Sequence, residues 1–344
     1  MVTRLRFAFA VLLLGWRTWL KRRRSGPLRP GWSWLQETIV AGLRHNGQLL
    51  MSASPPAARR RLEALAAAAD RRMVTIEPLA MGTLRAQSFV PKDVVVELTI
   101  LYFHGGGYVL GSAQSYRELL ARIARTCGVR VLAIDYRLAP EHPFPAALDD
   151  CHAAYRWALA NGSEPGRLLL AGDSSGGGLA VATLVAARDA GDVLPRGAIL
   201  ISPWVDLESS HPSVFASSTF DWGDRDYLRH WSAQYLNGAD ARDPRASPLY
   251  AELGGLPPLF IQVGTAELLY DEVVAFADKA RAQGVDVTLE PWPEMAHGWA
   301  MLKDFFPQAQ RSVEAIASYV QSSKSSGSLD AVGCAPRAPP SPSP

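Results

Sequence analysis

The pentapeptide Gly172-Asp173-Ser174-Ser175-Gly176 sets a serine between two glycines, after the apolar run Leu168–Ala171 and before the helix-forming run Leu179–Arg188. A strand that turns this abruptly into a helix forces its central residue into a strained conformation, and flanking glycines leave room for it. Ser174 is thereby presented at a sheet edge, where the positive end of the following helix stabilises negative charge that develops beside it. The chemistry such a serine suits is nucleophilic attack on a carbonyl. The plainer alternative is a glycine-rich connection that only lets strand and helix pack closely. A second cluster, His104-Gly105-Gly106-Gly107, ends another apolar run. With no Cβ in the way, the N–H groups of Gly105 and Gly106 are expected to reach an oxyanion, and that of Ser175 makes a third donor. One well-placed donor is worth about 3 kcal/mol. His104 is expected to bond the loop rather than carry a proton. Neither cluster has the G-x-x-x-x-G-K-[ST] or G-x-G-x-x-G spacing of a phosphate-binding loop.

Acyl transfer at Ser174 also needs a base, and an acid to orient that base, in the chain order serine, acid, histidine. Of seven histidines, His297 in Met295-Ala296-His297-Gly298 falls in a loop after the last expected strand. His142 and His152 come too early, His45 lies in a helical N-terminal region, and His211 and His230 lie in or near a polar, aromatic insertion. The acid should follow the strand Leu259–Val263, which leaves Glu267, Asp271 and Asp286. Glu267 comes first after Gly264 and is preferred; Asp271 is the reserve, since it stands where it could instead cap a helix. Tyr108, Trp204 and Trp299 flank these motifs and are expected either to line the substrate pocket or to belong to the core.

The elements that must position these residues alternate along the chain. Strands are expected at 94–103, 129–134, 168–171, 197–201, 259–263 and 285–290, and helices at 115–126, 146–160, 179–188, 272–283 and 308–320. Such alternation implies an α/β fold, a mostly parallel sheet with helices on both faces. The glycine clusters then fall at its carboxyl edge, where ligands bind in such sheets. Residues 1–72 read as a helical region and 73–321 as the catalytic domain. An insertion at about 205–245, with Phe220, Trp222, Tyr227, Trp231 and Tyr235, is expected to pack with the N-terminal helices as a lid. Residues 322–344, rich in serine, proline and glycine, are expected to be disordered.

Composition narrows the partner. In 344 residues, 35 lysines and arginines nearly balance 33 aspartates and glutamates, so no global field attracts nucleic acid, and a small neutral molecule is the expected ligand. No H-E-x-x-H and no cysteine–histidine pairing suggests a metal. Three cysteines, Cys127, Cys151 and Cys334, form no C-x-x-C and fit a reducing, cytoplasmic compartment. Near the start, Arg4 and Arg6 precede the apolar run Phe7–Trp16, and Arg17 leads to Lys21-Arg22-Arg23-Arg24. The run is shorter than the roughly 20 residues that span a bilayer. It reads first as a helix covering the active site, next as a peripheral membrane anchor with Trp16 and Trp19 at the headgroups, and last as a signal peptide.

Taken in order, the motifs resemble those of the bacterial hormone-sensitive-lipase-like family of esterases and lipases, family IV. The likeness runs from about Leu101 past the His297 loop. It rests on His104-Gly105-Gly106-Gly107, Asp135-Tyr136-Arg137-Leu138-Ala139-Pro140-Glu141, Phe144-Pro145-Ala146-Ala147, Gly172-Asp173-Ser174-Ser175-Gly176-Gly177, Ser202-Pro203-Trp204 and His297-Gly298. The resemblance implies an α/β-hydrolase fold with a helical cap and cofactor-free hydrolysis of short-to-medium acyl esters. It also implies Ser174 as nucleophile, His297 as base, Gly105, Gly106 and Ser175 as the oxyanion hole, and the Tyr136–Glu141 segment as support. Two positions depart from the family pattern: Ser175 where alanine is usual, and Glu267 where aspartate is usual. The wording Gly264-Thr265-Ala266-Glu267-Leu268-Leu269 is similar to the branch with lactone and acetyl hydrolases. A different class of function, a small-molecule receptor like the plant gibberellin receptors that lack a working histidine, is disfavoured by the complete serine, acid and histidine set. The sequence leaves the natural ester and any homo-oligomer open.

Overall fold

A computed structural model of the protein describes residues 2–66, 69–92 and 96–326, with side chains placed between 13 and 322. Eight strands lie in one sheet in the order β1-β2-β4-β3-β5-β6-β7-β8. They are β1 (Val74–Met81), β2 (Leu84–Pro91), β3 (Thr99–Phe103), β4 (Arg130–Asp135), β5 (Leu168–Asp173), β6 (Gly197–Ile201), β7 (Leu259–Gly264) and β8 (Val287–Trp292). From β4 to β8 all neighbours run parallel; β1 and β2 form an antiparallel hairpin that pairs with β4. The helices are α1 (Val2–Ser25), α2 (Trp34–Met51), α3 (Pro55–Leu65), α4 (Arg117–Cys127), α5 (Ala146–Ala160), α6 (Ser175–Asp189), α7 (Pro212–Ala216), α8 (Arg225–Leu236), α9 (Tyr270–Ala282) and α10 (Pro307–Ser326).

The central strands are apolar on both faces, as a sheet sandwiched between helices requires. Along β3, Leu101 and Phe103 join one core while Ile100 and Tyr102 join the other; β5 divides the same way, with Leu168 and Leu170 against Leu169 and Ala171. Residues of α5, α6 and α9 fill the first core, and those of α4 and α10 the second. The alternation read from the sequence is this sheet. The hairpin β1–β2 was not among the expected strands. It is half exposed and carries Thr75, Glu77, Arg85 and Gln87, so its apolar signal is weak. The strand expected from residue 94 begins at Thr99, and residues 93–95 lie outside the described ones.

The N-terminal helices are fastened to the sheet domain. Ser33 starts α2 with a capping box to Gln36. Arg29 grips the Glu294 carboxylate at 2.7 and 3.1 Å, and the Trp32 indole donates to the Glu294 carbonyl at 2.9 Å. From α3, Arg59 donates to the carbonyls of Val109 (2.8 Å) and Ala139 (2.7 Å) and to both Glu141 oxygens (3.0 and 2.7 Å). At the other end α10 reaches Ser326. Residues 322–326, expected to begin a disordered tail, are therefore helical, and the rest of that expectation (327–344), with Cys334, lies outside the described residues. No helix among the described residues is long and apolar enough to cross a membrane. Cys127 and Cys151 are buried free thiols, and burial pushes the Cys127 thiol up to about 12.

Candidate active site

Ser174 sits between β5 and α6 with φ 52° and ψ −125°, the strained elbow that the pentapeptide implies. Gly176 makes it possible: a Cβ there would lie 2.0 Å from the Phe103 carbonyl oxygen, inside any permissible contact. The elbow thus packs β5, α6 and the end of β3 against one another through bare backbone. Across the sheet edge, His297 Nε2 lies 3.0 Å from Ser174 Oγ, and His297 Nδ1 lies 2.8 Å from Glu267 Oε2. Glu267, wholly buried, follows β7; its Oε1 accepts from Ser202 Oγ (2.6 Å) and from the Gly264 N–H (2.8 Å). The serine, histidine and preferred acid therefore meet as a chain of hydrogen bonds. Asp271 does not join them, because its carboxylate accepts the Ser213 N–H at 2.7 Å. Ser202, which the sequence presented only as part of a motif, donates to the Glu267 carboxylate alongside the Gly264 N–H.

Burial by itself pulls the His297 imidazole down, but the bond and charge of Glu267, with Asp221 and Asp173 behind, raise it net above its ordinary 6.5. Asp173 is also buried. Burial raises its carboxyl above 3.8, against the hydrogen bonds from Tyr116 (2.8 Å), Tyr102 (2.9 Å) and the Gly105 N–H (3.0 Å). That last bond corrects an expectation. The Gly105 N–H points to Asp173, so it is committed to joining the His104 loop to the elbow and is not free for an oxyanion. Gly106 and Gly107 line the cavity with Ser174, and their N–H groups have no protein acceptor among the described residues. Gly106 has φ 122°, and a Cβ on it would lie 2.3 Å from the Leu110 oxygen, so no other residue gives this loop its shape. Gly107 was missed by sequence reasoning, although it is the third glycine of the same run. His104 takes the expected structural place: its ring stacks on Tyr136 at 4.3 Å, and its carbonyl accepts the Tyr136 hydroxyl at 2.6 Å.

A cavity of about 450 Å³ opens onto Ser174 and His297. Leu43, Gly47 and Leu50 of α2, Leu62 and Leu65 of α3, and Trp222, Tyr227, Leu228 and Trp231 of the insertion form much of its wall. Of the three aromatics named from the sequence, Trp204 lines the cavity. Tyr108 lies behind it, stacked on Tyr235 at 3.8 Å, and Trp299 is buried against Trp292 at 4.8 Å. Among the described residues no group of three or more His, Cys, Asp or Glu could hold a metal ion.

A serine at a strand–helix elbow, hydrogen-bonded to a histidine after β8 that is bonded in turn to a buried carboxylate, with spare amide donors nearby, is the arrangement of serine hydrolases built on an α/β sheet. Comparison with known proteins agrees. The family model described as α/β hydrolase fold matches residues 100–301, and the chain belongs to that family, in its bacterial hormone-sensitive-lipase-like branch. An acetyl-hydrolase of Streptomyces hygroscopicus is 46% identical over 233 residues, covering 67% of this chain and 77% of that one. An esterase of Acinetobacter venetianus is 31% identical over 258 residues, 72% of this chain and 82% of its own. The crystal structure of an esterase from the bacterial hormone-sensitive lipase family superposes with a TM-score of 0.80 at 37% identity, covering 85% of this chain and 99% of that one.

Proposed function

We propose that this carboxylic ester hydrolase uses Ser174 as nucleophile, His297 as general base and Glu267 as the acid that orients it. The hydrogen-bonded chain from Ser174 through His297 to buried Glu267 carries the reading. Ser174 Oγ attacks the ester carbonyl as His297 Nε2 takes its proton; the imidazolium then gives that proton to the departing alcohol, leaving an acyl-enzyme. Water activated by the same nitrogen cleaves the acyl-enzyme and regenerates the serine. The N–H groups of Gly106, Gly107 and Ser175 bind the tetrahedral oxyanion. The α2–α3 pair and the insertion act as the cap. Their leucines and tryptophans favour short-to-medium acyl esters, in a cavity within the range of about 300–1,000 Å³ usual for small-molecule sites. The Gly264–Leu269 wording and the acetyl-hydrolase relative keep acetyl esters and lactones among the substrates to test. The deciding assay runs wild type and Ser174→Ala on p-nitrophenyl esters of increasing acyl length, a lactone and a triglyceride emulsion. Hydrolysis that peaks at short chains and vanishes in the variant supports the reading; hydrolysis that survives in the variant overturns it.

A peripheral membrane contact has an observation of its own. On α1, Trp16 is 57% exposed and stacks on Trp19 beneath the Arg23 guanidinium, and Leu13, Trp34 and Leu35 are exposed nearby in the chain. Aromatic groups flanked by Arg17, Lys21, Arg23 and Arg24 suit an anionic lipid surface. Sedimentation with anionic and with neutral vesicles tests it: binding to the anionic ones that weakens in Trp16→Ser supports a contact, and no binding to either removes it.

A further inference from the structure

Asp221 belongs to the insertion, just before α8, and its side chain is fully buried. It is outside the serine–histidine–acid chain, yet it touches both loops that bring that chain together. Its Oδ1 accepts the N–H groups of Trp222 (2.8 Å) and His297 (3.0 Å), and its Oδ2 accepts the N–H of Leu268 (2.9 Å). Leu268 is the residue after Glu267, so one carboxylate spans the peptide that carries the base and the peptide beside the acid. The neighbouring residues complete the grip. Trp222 Nε1 donates to the His297 carbonyl at 2.7 Å, and Ser213 Oγ donates to the Leu268 carbonyl at 2.7 Å. Each of the two backbone segments is therefore held at its N–H and at its C=O by the insertion. From α2, Arg44 donates to the Ser218 carbonyl at 2.9 Å and to the Asp221 carbonyl, tying the same turn to the N-terminal helices.

We infer that Asp221 is a positioning residue for the reaction, through which the cap sets the placement of His297 against Glu267 and Ser174. The inference rests on the triad assignment above. Misplacement of a reacting group by about 1 Å costs on the order of 100-fold in rate, and loops after strands have no ladder of their own to prevent it. A carboxylate suits the task because it offers only acceptors, and all three of its partners are backbone donors. Its charge acts as well. Asp221 faces His297 and Glu267, and His297 faces Glu267, Asp221 and Asp173, so the Asp221 charge helps to favour the protonated imidazole. Trp222 also lines the cavity. An ester seated against it presses on the residue that holds the His297 carbonyl, which links occupancy of the cavity to placement of the base.

The test compares wild type, Asp221→Asn, Trp222→Phe and Ser174→Ala on one short-chain p-nitrophenyl ester across pH. In Asp221→Asn one oxygen becomes an N–H₂ group facing an N–H donor. The expected result is a kcat about 30-fold lower with KM within about threefold. The acid limb of kcat/KM should move to lower pH, because a negative charge facing His297 has been removed. Trp222→Phe keeps an aromatic ring, a smaller one, and loses the bond to the His297 carbonyl, for a kcat about three- to tenfold lower. A merely structural role would lower the melting temperature and leave the kcat of the folded protein and the acid limb in place. Asp221→Asn with kcat within twofold and an unmoved limb overturns the inference. If that variant does not fold, an unchanged kcat in Trp222→Phe overturns it. Ser174→Ala separates the two readings. Activity retained there sinks the triad assignment, whereas activity lost there and kept in Asp221→Asn sinks only the positioning role.

Discussion

The two halves of the active site are built by opposite means. The serine half is made of main chain: a φ of 52° at Ser174, and a Gly176 that leaves the Phe103 carbonyl no room for even one added carbon. A side-chain tether to the His104 loop comes from Asp173, which gathers Tyr102, Tyr116 and the Gly105 N–H. The histidine half is made of side chains reaching in from elsewhere. Asp221, Trp222 and Ser213 hold it from the insertion. Beyond it, Arg122 of α4 holds the carbonyls of Ala300 (2.6 Å) and Ala309 (2.7 Å). The first half is fixed by steric exclusion and should fail abruptly when atoms are added. The second is fixed by charge and hydrogen bonds and should respond in steps when groups are removed or titrated.

Substitutions at each half break or sharpen that contrast. Ser174→Ala removes the proposed nucleophile and should lower kcat by on the order of 10⁶-fold with the fold intact, read by steady-state kinetics beside circular dichroism. In the other half, Glu267→Gln keeps the shape but no longer favours the imidazolium, and should lower kcat by about 10⁴-fold with little change in KM. Gly176→Ala acts on stability rather than on one step. The added Cβ meets backbone that cannot move aside, and urea unfolding should show a loss of about 3 kcal/mol or more. Arg59→Met, which strips the α3 contact from the Val109 and Ala139 carbonyls, should cost about 1–3 kcal/mol of stability in the same measurement and raise KM more than it lowers kcat.

The smallest effect expected is a pH trend with two opposing signs. In the proposed role His297 acts as a base only when neutral, so kcat/KM should rise with pH through a midpoint above 6.5. Its raised folded-state pKa stabilises the protein fully below the unfolded value, and that contribution is lost as pH climbs through the folded value. Activity should therefore grow over the window in which this part of the stability declines. Parallel rate and melting profiles check the prediction, and profiles that rise together across that window would count against it.

The same contrast explains how much of the molecule was legible in its sequence. Ser174 could be read because its device is local: five consecutive residues encode the strand end, the strain and the room for it. The places of His297 and Glu267 could be read from chain order, since each follows an expected strand in a fold that the alternation of elements implies. Asp221 could not, because nothing near it in sequence shows that its three donors come from residues 222, 268 and 297. Gly105 was misread for a related reason. Sequence gives the glycines of a run equal standing, and only the placement of Asp173 shows which N–H is already taken. The hairpin β1–β2 escaped because a half-exposed edge of the sheet does not need the continuous apolar strands that β3 and β5 do.

The separation of 123 residues between Ser174 and His297 has a consequence for the protein while it is being made. At about 5–20 residues per second, a ribosome needs roughly 6–25 s to travel from the codon for the serine to the codon for the histidine. During that interval the nascent chain holds Ser174 and both glycine clusters but not His297. On the proposed roles, Ser174 therefore stays without its base until the loop after β8 that carries His297 has been made.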